Sequence, residues 1–73
     1  MSDDYTMRQA ADVVYSLLQQ ALLEPTDSHR EELLYVIRHY VLQGYFFSLG
    51  QDRVIVTKKE ITYASVTSHT EGA

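Results

Sequence analysis

Three histidines, at positions 29, 39 and 69, are the residues of this chain best suited to holding a metal or moving a proton near neutral pH. Their spacing supports neither. The two-histidine helix of zinc proteases sets its ligands four residues apart, whereas ten residues separate the nearest pair here. His29 and Glu32 share a helix face but lack a third ligand, and His39, beside Arg38, falls on an outward helix face. Nucleophilic chemistry fares no better. There is no cysteine, and no serine lies in a strained Gly-x-Ser-x-Gly turn. Gly44, Gly50 and Gly72 are too far apart to cradle a phosphate. The paired carboxylates Asp3-Asp4 and Glu31-Glu32 fall in the first turns of expected helices, where negative charge complements the helix dipole. The expectation is a protein that is not an enzyme, with no catalytic residue, metal or cofactor.

Aromatic residues carry more information. Six tyrosines in 73 residues is a heavy load, and tyrosine, with an apolar ring and a polar tip, is enriched where proteins meet. Tyr40 and Tyr45 fall on faces expected to be buried. Tyr35 falls on the opposite side of its helix, beside Arg38, His39 and Leu42.

The elements that must position these groups follow from hydrophobic spacing. Met7, Ala10, Ala11, Val14, Leu17, Leu18 and Ala21 recur at intervals of three and four, which keeps one helix face apolar. Thr6 and Gln9 form a capping-box pattern, so this helix is expected from about residue 6 to the stop imposed by Pro25. Ser28 and Glu31 repeat the pattern and predict a second helix over about 29–43, with Leu33, Leu34, Ile37, Tyr40 and Val41 as its apolar set. Gly44 stands where a left-handed helix cap is commonly needed. The short connection implies an antiparallel helix pair.

After Gly44 the period falls to two. Tyr45, Phe47 and Leu49 alternate before the turn Gly50-Gln51-Asp52-Arg53, and Val54 and Val56 alternate after it. Placing Leu49 opposite Val54 puts Phe47 opposite Val56 and Tyr45 opposite the stem of Lys58, which gathers the apolar groups on one face. The second face keeps Phe46 and Ile55. Residues 57–67 suit either a short helix or an extended segment, and the strand-prone Ile61, Thr62, Tyr63 and Val66 favour the extended form. The fold class is therefore α+β: a small single domain over 1–67, in the order α-α-β-β with a possible short third strand, followed by a flexible tail over 68–73. Its core is expected at Val14, Leu17, Leu18, Ile37, Val41, Phe47 and Val56.

Composition narrows the partners. The formal charge of −4 offers no field to collect nucleic acid, because nonspecific affinity for it comes from Lys and Arg neutralising phosphates. The longest apolar stretch, Leu33 to Leu49, is interrupted by Arg38, His39, Gln43 and Gly44, which argues against a membrane span. Absence of cysteine and of a basic, apolar leader predicts a cytoplasmic protein.

From helix two through the hairpin, residues 33 to 61, the order of residue classes resembles the recognition helix and wing of winged-helix DNA-binding modules. Thr57-Lys58-Lys59 would follow the wing, but Glu31 and Glu32 stand at the helix start that such readers often direct at bases. That resemblance implies a DNA-binding regulator as the alternative function. The first expectation is a small protein-binding regulator or adaptor acting as a homodimer. One short core cannot cover every apolar group, and a dimer supplies stability that a 73-residue monomer reaches with difficulty. Its partner-binding residues are expected at Tyr35, Arg38, His39 and Leu42 on helix two and at Phe46 and Ile55 on the hairpin.

Overall fold

The computed structural model describes residues 3–65. It has two helices, α1 (Asp3–Leu23) and α2 (Asp27–Leu42), followed by three strands, β1 (Phe46–Gly50), β2 (Arg53–Lys58) and β3 (Ile61–Ala64). The strands form one antiparallel sheet in the order β1-β2-β3. The α+β class and the α-α-β-β order are as expected, and the strand-prone residues after Thr57 do form a third strand. The end of the 1–67 domain and the tail over 68–73 lie outside the described residues.

Both helices begin earlier than their capping patterns suggested. α1 already includes Asp3, so Thr6 lies inside it. For α2 the cap is Thr26 rather than Ser28. Thr26 is extended (φ −98°, ψ 161°), and its Oγ1 accepts a hydrogen bond from the His29 backbone N–H at 3.2 Å. Pro25 ends the first helix, and the very next residue can then cap the second. The connection is only residues 24–26, fastened where His29 Nδ1 donates to the Glu24 carbonyl at 2.8 Å.

The far end of α2 closes as Gly44 predicts. Gly44 has φ +99°, its N–H bonds the Val41 carbonyl, and the Tyr45 N–H bonds the Tyr40 carbonyl at 3.2 Å. This is the Schellman arrangement, and its customary hydrophobic contact is present as Tyr40 and Tyr45 meeting edge to face at 6.0 Å. The helix thus turns directly into the sheet.

The hairpin register is the one that pairs Phe47 with Val56 and Leu49 with Val54. Tyr45 lies across from Lys58, whose Nζ sits 4.7 Å from the centre of its ring. The inner sheet face packs on α1, and the core is Met7, Ala10, Ala11, Val14, Tyr45, Val54 and Val56. This differs from the expected core. Val14 and Val56 are buried, but Leu17, Leu18, Ile37 and Phe47 are only half-buried and Val41 is exposed. The reason is positional: the sheet covers the N-terminal half of α1, and α2 does not close over the other half.

At its C-terminal edge the sheet is finished by Ser65, the buried polar residue. Its N–H donates to the Val54 carbonyl at 2.8 Å, and its Oγ accepts from the Val54 N–H at 3.0 Å. A hydroxyl thus stands in for the carbonyl that a longer strand would have supplied.

Candidate functional site

α2 is amphipathic by sequence, yet none of its sixteen residues is buried. Leu33, Val36, Ile37 and Tyr40 are half-covered, by α1 and by the first strand, where Phe47 meets the Tyr40 ring at 6.0 Å. The remaining apolar side chains point away. Leu34, Tyr35, Val41 and Leu42 are all exposed, Tyr35 at 72% and Leu42 at 82%. Leu34 and Val41 stand three residues before and four after Ile37, so they continue its row towards solvent.

Beside this row a groove of about 260 Å³ opens between α1, α2 and the hairpin. Val14 and Leu18 form one side, Leu33 and Ile37 another, and Phe47, Leu49 and Val54 the third; Ser48 is its one polar lining residue. Leu49 belongs to the inner sheet face by register but is 71% exposed, because no element covers it. The groove exists because the three-residue connection and the Schellman turn fix both ends of α2 while its middle packs mainly on α1 and only lightly on β1. It has no charged lining group and a single hydroxyl, that of Ser48, so it is built for apolar contact.

The structure sorts the expected partner-binding residues into two sets. Tyr35, Arg38, His39 and Leu42 are exposed on α2. His39 is partly engaged within its own helix: the Gln43 side-chain amide donates to its Nε2 at 3.0 Å, and its ring abuts that of Tyr40. Phe46 and Ile55 share the outer sheet face, where they are paired with Thr57 and Ser48. Phe46 is exposed and Ile55 half-buried. Glu31, Leu34, Tyr35 and Arg38 together border a shallow depression on α2. Leu34, Glu31 and the groove residues Leu33, Leu49 and Val54 were missed as site candidates. Apolar periodicity assigned the leucines and Val54 to a core, which holds for Val54 alone, and Glu31 was read as a first-turn charge; periodicity does not report whether a neighbour arrives to cover a face.

Among the described residues, no group of three or more His, Asp or Glu could hold a metal ion, and no helix is long and apolar enough to cross a membrane. Compared with protein-family models, with curated proteins and with solved structures, the chain matches none of them.

Proposed function

We propose that this chain is a small, non-catalytic, cytoplasmic protein-binding regulator or adaptor that works as a homodimer, with α2 as its contact element. The observation that carries this reading is a helix of sixteen residues with none buried and with Leu34, Tyr35, Val41 and Leu42 on its solvent side. Large exposed apolar side chains gathered on one helix side, here on both sides of Arg38, are a feature of interaction sites in soluble proteins. A second copy is the occupant favoured by size. A domain this small gains little from its own core, and among the described residues the largest fully buried side chains are Met7, Val54 and Val56. Asp27, Glu31 and Glu32 at the start of α2 are exposed and repel phosphate, which favours a protein over a nucleic acid on this helix.

Sedimentation equilibrium over a wide concentration range tests the reading: a concentration-dependent dimer is expected, and a monomer throughout ends it. Tyr35→Asp combined with Leu42→Asp is expected to dissociate the dimer while leaving helical circular dichroism intact. Binding of a labelled duplex at low ionic strength, with a steep loss of affinity as salt rises, would instead favour the DNA-binding alternative.

A further inference from the structure

We infer that the second copy lays its α2 antiparallel along α2 of the first, with Leu34 and Tyr35 at the two-fold axis and Glu31 of each chain beside Arg38 of the other. This rests on the homodimer reading above and specifies its geometry. A two-fold contact must be self-complementary, since each surface meets its own copy. The exposed side of α2 meets that condition about the midpoint of Leu34 and Tyr35. Glu31 and Arg38 border the same depression as Leu34 and Tyr35 and stand at equal distances on either side of the midpoint between them. An antiparallel copy centred there brings opposite charges together twice, around an aliphatic and aromatic middle.

Two other kinds of arrangement oppose like charges. A parallel pair in register sets Glu31 against Glu31 of the partner subunit and Arg38 against Arg38 of the partner subunit. Sliding one helix of the antiparallel pair past the other by two turns either way centres it on Glu31 or on Arg38, which then meets its own copy. Such juxtapositions penalise wrong registers more than the right pairs reward the correct one. Nor can the two charges satisfy each other within a chain, since seven residues of helix hold them roughly 10 Å apart along the axis. Area sets the strength. A standard interface takes about 800 Å² from each partner, and one helix face with four large apolar side chains gives less, so a dissociation constant in the micromolar range is expected.

Charge reversal on the full chain tests the register. Glu31→Arg makes both positions basic and Arg38→Glu makes both acidic, so each variant should dimerise at least about tenfold more weakly than the parent. Equimolar mixing of the two single variants should recover association, as should Glu31→Arg with Arg38→Glu in one chain; circular dichroism checks that every variant is folded. Single variants that dimerise like the parent, or a mixture no better than its components, overturn this geometry while the dimer stands. A parent chain that is monomeric at every concentration overturns the homodimer reading itself, and this geometry with it.

Discussion

Met7 and Leu18 lie three turns apart on the same face of α1, and they meet different fates. Met7 is wholly buried against Ala11, Tyr45 and Val56, with Tyr40, Phe47 and Tyr63 packed around that cluster. Leu18 is half-buried, and beyond it Leu22 and Leu23 are exposed. One end of the molecule is closed by a three-stranded sheet; the other is open between α2 and the hairpin tip. The amino-acid pattern is equally apolar at both ends. What differs is the neighbour, so burial here is decided by where the next element is tethered.

The comparison is broken most directly by truncating both ends. Met7→Ala is expected to cost about 2–5 kcal/mol, as for other fully buried large side chains, whereas Ile37→Ala in the open half should cost about 1 kcal/mol in dilute solution. Thermal denaturation separates the two, because 1 kcal/mol shifts a domain of this size by roughly 4–8 °C. Equal losses would mean that the open half is closed in solution.

Ser65 sharpens the picture of the closed end. Ser65→Ala removes the acceptor for the buried Val54 N–H, and a stranded buried donor costs about 1–3 kcal/mol. Urea unfolding should show a lower midpoint with an unchanged slope. A neutral result would mean that solvent reaches Val54 and that the sheet frays at this edge.

The smallest expected effects are in the two turns. Asp52 and Lys59 both have positive φ, 61° and 58°, a region costly to residues with a Cβ, though less so to aspartate. Lys59→Gly should therefore stabilise by about 0.5 kcal/mol, the relief of strain exceeding the added chain entropy, and Asp52→Gly by less. Melting curves of the two variants rank them, and the reverse order would contradict this account.

Much of the scaffold was legible in the sequence. The change of period at Gly44 marked the passage from helix to sheet, and the pairing of Tyr45 with Lys58 followed from collecting apolar groups on one face. Helix starts were less legible. Thr26 and Ser28 can both cap, and only the chain direction after Pro25 selects between them. The role of Ser65 was not legible, because a serine beyond a strand has no spacing that announces its partner eleven residues back. The candidate site was half legible. Tyr35, Arg38 and Leu42 stood out as apolar and charged groups on the wrong side of α2, but the groove was hidden, since Leu33 and Leu49 carry the same pattern as core residues such as Val54.

The way α2 is fastened has a kinetic consequence. Thr26 and the His29 ring hold one end, and Gly44 with the Tyr40–Tyr45 contact holds the other, although no residue between them is buried. A partner binding there would thus meet a helix already formed and oriented, and would pay little to order it on arrival. Encounter and docking of rigid surfaces, rather than folding upon contact, would set the association rate, in the range of about 10⁵–10⁷ M⁻¹ s⁻¹ usual for preformed interfaces.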